Sequence, residues 1–134
     1  MRDLTKIIAI IFFLIGISIS IFGQEAENPI TKNQKQNLIK GIQSDNSGVR
    51  KSAIYFAGKY RIEEAIPEME KVLFKEHDEN TVMITLNSLG QFRYDKVEGI
   101  FANYADYTTN EKLKYQAMSF DVYFNQDTKA LAGK

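Results

Sequence analysis

Cysteine and tryptophan are absent from this 134-residue chain, and histidine appears once, at His77. The lack of cysteine excludes disulfides, thiolate metal sites and a lipid anchor attached through a cysteine. The lone histidine leaves no second imidazole with which to build a metal centre. Charge of one sign is missing too: Lys+Arg and Asp+Glu both number 17. A balanced chain has no general attraction for nucleic acid, which demands a concentrated basic face, nor for an anionic membrane surface. What is present is 44% hydrophobic and 25% charged residues, the make-up of a globular chain and too apolar for disorder.

The front of the chain differs from the rest. Residues 7–22 are uncharged and almost wholly apolar, Arg2 and Lys6 precede them, and Gly23-Gln24-Glu25 follows. A basic start, a short apolar run, a small residue and a polar continuation are the layout of a secretory signal peptide. The expected cut follows Gly23, with Ser20 as a second candidate, and the product is periplasmic or secreted. The alternative is an uncleaved inner-membrane anchor. Sixteen residues at about 1.5 Å each cover roughly 24 Å, short of the ~30 Å hydrocarbon core, which favours cleavage. Residues 24–31 read as a polar lead-in containing Pro29, and helix is predicted from near Thr31.

Beyond that point a phrase recurs. Asp45-Asn-Ser-Gly-Val49, followed by Ala53 and Gly58, is echoed by Asp78-Glu-Asn-Thr-Val82, followed by Leu86 and Gly90. Val49 and Val82 are 33 residues apart, and a fainter copy places Leu113 a further 31 residues on. Periods of this length belong to stacked helical units. Apolar residues at helical spacing divide the region into six helices. Leu38, Ile39 and Ile42 mark the first, and Val49, Ala53, Phe56, Ala57 and Tyr60 the second. Ala65, Ile66, Met69, Val72 and Leu73 mark the third, opened by Glu63, Glu64 and Pro67, which suit a helix's first turn. Val82, Leu86 and Leu89 mark the fourth, Val97 to Ala105 the fifth, and Leu113, Ala117, Phe120 and Tyr123 or Phe124 the sixth. Asp45 or Ser47 is expected to cap the second helix, and Gly58 suits a left-handed cap or a close helix crossing. The reading is all-α: three helical hairpins over residues 32–124, then a frayed tail over 125–134.

An Asp shortly before a Val-Arg or Val-X pair, an Ala four residues after the Val, a Gly near the helix end and then Ala65-Ile66-Pro67 resembles the HEAT-repeat superfamily, particularly its short bacterial form. The resemblance implies a short right-handed α-solenoid of about three antiparallel helical hairpins. It makes Asp45, Arg50, Ala53, Gly58, Pro67, Asp78, Val82 and Gly90 framework positions. It also implies that the second helices line a concave face.

No catalytic constellation competes with this reading. His77-Asp78-Glu79 are consecutive and fall in an inter-helix turn, and adjacent residues rarely converge on one ion. Glu63, Glu64, Glu68 and Glu70 lie along one helix, which cannot supply two carboxylates facing each other across a cleft. The expectation is a non-catalytic scaffold with no cofactor and no metal, binding a protein, a peptide or a cell-surface polymer. The candidate partner-binding residues are Arg50, Lys51, Tyr55, Lys59, Lys114 and Tyr115 on the second helices, beside Thr85, Asn87, Ser88, Gln91 and Gln116. A second function class is a membrane-tethered structural module held through residues 7–22 and self-associating through its aromatic C-terminal hairpin. Tyr107, Tyr115 and Tyr123 decide between a closed core and an outward aromatic surface there.

Overall fold

The computed structural model describes residues 30–132, so the expected signal peptide and most of the lead-in lie outside the described residues. The chain is all-helical, with no strand among the described residues. The helices are α1 (Lys32–Ile42), α2 (Ser47–Lys59), α3 (Ile66–Lys75), α4 (Glu79–Leu89), α5 (Tyr94–Val97), α6 (Ile100–Tyr107) and α7 (Glu111–Ala132). A 3-10 turn over Glu63–Ala65 leads into α3. None of these helices is long and apolar enough to cross a membrane. Helix α7 does not stop at Phe124 as the sequence predicts but continues to Ala132.

Local chemistry fixes where the helices begin. Thr31 and Gln34 form a reciprocal capping box at α1: the Thr31 hydroxyl accepts from the Gln34 amide, and the Gln34 side chain accepts from the Thr31 amide. The cap of α2 is Asn46 rather than Asp45 or Ser47; its Oδ1 accepts from the amides of Gly48 and Val49 at 3.0 and 3.2 Å. Asp78 caps α4 by accepting from the Thr81 amide at 3.1 Å, and Asn110 Oδ1 accepts from the Leu113 amide at 3.2 Å. Asn46, Asp78 and Asn110 therefore stand 32 residues apart, each bonded to the amide three positions on. This register aligns Val49 with Thr81 and Leu113, one residue away from the Val49–Val82 match suggested by sequence.

Helix ends follow equally local rules. After α2, Arg61 adopts φ 49°, while its amide donates to Gly58 O and the Ile62 amide donates to Ala57 O, both at 2.9 Å. That pair of bonds is a Schellman closure, with arginine in the left-handed position that glycine usually takes. Gly99, at φ 78°, breaks the expected fifth helix into α5 and α6. Gly58 serves a close crossing instead of a cap: a Cβ built there would stand 2.7 Å from Ser88 Cβ and 2.8 Å from Ser88 Cα and O. Gly90 is crowded in the same way by the Phe120 ring.

Helices α1 and α2 pack together, as do α3 and α4, and α6 and α7. Helix α4 also lies between α2 and α7, while α3 touches both α1 and α6. The core between them buries Ile42, Ile54, Ala57, Met69, Leu73, Val82, Leu86, Leu89, Phe101 and Ala117. In α2 the expected apolar stripe splits, because Ala53 and Ala57 face inward with Ile54, while Val49, Phe56 and Tyr60 are exposed. At the C-terminal end Phe101 stacks on Phe120 and Phe124 at 5.1 and 5.8 Å. Tyr115 and Tyr123 are exposed, as is Tyr107, whose ring packs on Phe74 and whose hydroxyl donates to the Phe74 carbonyl at 3.0 Å; the buried member of the Tyr123/Phe124 pair is Phe124.

Candidate interaction surface

The six candidate residues separate into a framework pair and a surface set. Arg50 is largely buried, and its guanidinium donates to Glu76 Oε2 from Nη2 at 2.8 Å and from Nε at 3.1 Å. Its Nη1 donates to the Ser44 carbonyl at 2.6 Å, so the fork is consumed in tying α2 to the loop after α3. Glu76 is the counterpart hub: its Oε1 accepts from the amides of His77 and Asp78 at 2.9 and 3.0 Å. Those backbone amides, Asp78's above all, and then Arg50 hold the Glu76 carboxyl below its ordinary range. Lys51 is likewise engaged, with Nζ 3.0 Å from Asp78 Oδ2. Sequence reasoning missed Glu76, whose role is visible only once the α3–α4 loop is seen folded around it.

The three consecutive residues His77, Asp78 and Glu79 diverge in space. Asp78 lies between α4 and α2, and the Thr81 hydroxyl of α4 and then Lys51 of α2 lower its carboxyl to about 2. Glu79 turns toward α7, where Lys112 and Asn110 lower it as well. His77 is exposed between them. Two adjacent acids aimed at different helices and each saturated by its own cation do not form a ligand set. Among the described residues no group of three His, Asp or Glu is placed to hold a metal ion. Glu64 pairs with Lys35, Glu63 with Lys96 and Glu68 with Lys71, so these acids of the α3 region link or decorate helices rather than face each other.

Tyr55 and Lys59 do come together with residues of α4. They line a shallow groove of about 440 Å³ between α2 and α4, with Ile84, Asn87, Ser88 and Gln91 on the opposite wall. Asn87 continues this polar strip toward α7 by accepting from Gln116 Nε2 at 3.3 Å. Thr85 is not part of the surface: it is buried, and its hydroxyl donates to the Thr81 carbonyl. Lys114 is half-buried and Tyr115 exposed, both on α7.

A larger groove, about 1010 Å³, opens between α1 and α2. Ile30, Leu38, Val49, Phe56 and Tyr60 supply its apolar wall, and Gln34, Asn37, Asn46 and Ser52 its polar margin. Its apolar side chains are the part of the α2 stripe that the core leaves uncovered. No protein-family model, curated protein or solved structure matches this chain.

Proposed function

We propose that this chain is an exported, non-catalytic repeat module of the HEAT-like kind that holds a protein or peptide partner. Three antiparallel hairpins, α1/α2, α3/α4 and α6/α7, form a short right-handed solenoid in this reading, and the second helices carry the binding face. The observation that carries it is the 32-residue recurrence of helix caps at Asn46, Asp78 and Asn110, joined to a recurring contact between second helices, Gly58 on Ser88 and Gly90 on Phe120. Units that meet their neighbours through the same positions offer an extended rigid surface rather than a closed pocket. Asp78 is engaged in a helix cap and Glu79 in an ion pair, and His77 stands exposed at the turn.

On this surface Tyr55 and Lys59 are the binding residues of choice, with Asn87 and Gln91 opposite them and Lys114 and Tyr115 further along. Arg50 and Lys51 support that face from beneath through Glu76 and Asp78. No cofactor or nucleic acid enters the reading. A photo-crosslinking side chain placed at Tyr55 or Lys59 in the native cells should capture a defined protein partner. The same probe at Lys71, exposed on α3, should not. Equal capture from both layers, or none from either, would remove the assignment.

A second reading is favoured by the apolar run 7–22: the module stays tethered in the inner membrane by an uncleaved N-terminal helix. The mass and first residues of the native protein separate the two. A soluble form beginning at Gln24 supports export, and a membrane-bound form beginning at Met1 supports the tether.

A further inference from the structure

The cap register makes each second helix comparable with the others, position by position. In it 49, 81 and 113 correspond, as do 56, 88 and 120 on the same side of the helix. This side meets the preceding second helix, because Ser88 lies against Gly58 and Phe120 against Gly90. Positions 54, 86 and 118, and 58, 90 and 122, form the side that meets the following one. Inside the chain both sides are covered: Thr81, Ser88 and Leu113 are 0%, 5% and 5% exposed, and Ile54 and Leu86 are 0% exposed.

At the two ends the same positions are open and apolar. Val49 and Phe56 are 49% and 39% exposed on the leading side of α2, at the mouth of the α1/α2 groove. Met118 and Val122 are 45% and 52% exposed on the trailing side of α7. A repeat array that ends in water needs polar outer faces on its terminal units. This chain instead shows apolar residues at each end, at the positions through which its interior second helices pack on one another. The surface that fits the leading side is therefore the trailing side of an identical chain.

We propose that copies of this chain associate head to tail, the Met118/Val122 side of α7 in one copy packing on the Val49/Phe56 side of α2 in the next. The inference rests on the repeat reading and extends it across the chain ends. Such a contact is heterologous: it uses two different patches, and it propagates into a ring or a filament instead of stopping at a dimer. The register also names the closest pair. Gly58–Ser88 and Gly90–Phe120 are each 30 residues apart, and the next step in the series sets Val122 of one copy against Phe56 of its neighbour. Where Gly58 would bring a Cβ to 2.7 Å from Ser88 Cβ, a valine holds the helices further apart, toward the ~3.5–4.5 Å Cβ separation of a disulfide.

The absence of native cysteine makes the test clean. Full chains carrying F56C and V122C, with different tags, are co-expressed in an oxidising compartment and resolved on non-reducing gels. The expected result is a mixed disulfide dimer when both are present and none with either alone. The F56C/V122C double variant should give a ladder, and adding M118E, which buries an unpaired carboxylate at the contact, should reduce the crosslink by at least ~10-fold. Homodimers of F56C alone or V122C alone, as abundant as the mixed species, would show a symmetric contact and overturn the proposal. So would absence of any crosslink, the outcome if residues 1–29 fill the groove. Loss of the crosslink in cells where the Tyr55 probe still captures its partner overturns the end-to-end contact only; loss of both overturns the repeat reading as well.

Discussion

Replacing Gly58 by alanine separates local from tertiary physics, since the two predict opposite signs. Gly58 lies within α2, where alanine in place of glycine favours the helix by up to ~1 kcal/mol, less near the last turn. The added methyl, however, would meet Ser88 Cβ at 2.7 Å and Ser88 Cα and O at 2.8 Å. Carbon atoms prefer roughly 3.5–4.0 Å, so α2 and α4 must part by about 1 Å. Two of the three atoms met are backbone, and no rotamer change relieves them. Overpacking of this kind costs about 1–3 kcal/mol, which leaves a net loss of ~1–2 kcal/mol after the helix gain. For a domain of this size that lowers Tm by roughly 5–10 °C, readable by circular dichroism at 222 nm. Ser88→Gly in the same chain removes only the Cβ contact and should not restore the loss. Gly48→Ala is the comparison, because its Cβ would meet no backbone atom and nothing nearer than the Asn46 Oδ1 at 3.3 Å; it should lower the melting temperature by much less than Gly58→Ala. A Gly58→Ala protein as stable as the parent would refute the close α2–α4 crossing.

Other substitutions probe single features. Arg61→Gly places the preferred residue in the left-handed Schellman position and should raise stability by about 0.5–1 kcal/mol in urea titrations. Gly99→Ala has open space around its Cβ, with Asn103 Nδ2 at 3.8 Å, so its cost of roughly 1–2 kcal/mol comes from the backbone at φ 78° alone. Ala53→Asp places a carboxylate between α1 and α2 and should abolish the cooperative melt, whereas His77→Ala, at an exposed turn, should leave it unchanged. Glu76→Gln weakens the Arg50 fork and should cost about 2 kcal/mol at pH 7. Because the Glu76 and Asp78 carboxyls are held below their unfolded values, the unfolded chain takes up protons first as pH falls. The stability they give is complete above the ordinary carboxylate range and is lost on acidification, for Asp78 between 3.8 and about 2. Melts of Glu76→Gln and parent should therefore converge at low pH, and a constant gap would argue against this role.

The helical class and most of the core were legible because apolar spacing reports them directly. Val82, Leu86, Leu89, Ile100, Phe101, Leu113 and Ala117 are buried where the periodicity puts them. What escaped had local or end-of-chain causes. Asp45, Asn46 and Ser47 can all cap, and only the backbone turn selects Asn46. The spacing from Val97 through Ile100 and Phe101 to Tyr104 is continuous in sequence, so the break at Gly99 leaves no trace in it. An arginine carries none of the usual signature of a Schellman residue. The outward Val49 and Phe56 have good core spacing and lack only a helix to cover them, which no window of sequence reveals. In the candidate site the helical spacing could not separate Tyr55 and Lys59, which line a groove, from Arg50 and Lys51, which hold the frame.

The even spacing of the caps bears on how the chain reaches this structure. Side-chain bridges between helices join residues at nearly constant separation: Arg50 to Glu76 spans 26, Asn87 to Gln116 spans 29, and Tyr107 to Phe74 and Lys112 to Glu79 each span 33. Closing loops of one such length costs about the same entropy everywhere, so no long-range closure has to be made before the others. Folding rate then depends on that step length and little on how many steps the chain contains. A segment leaving the ribosome would find its packing partner within some thirty residues already made, and helices could lock into place in order of synthesis while the rest of the chain is still being added.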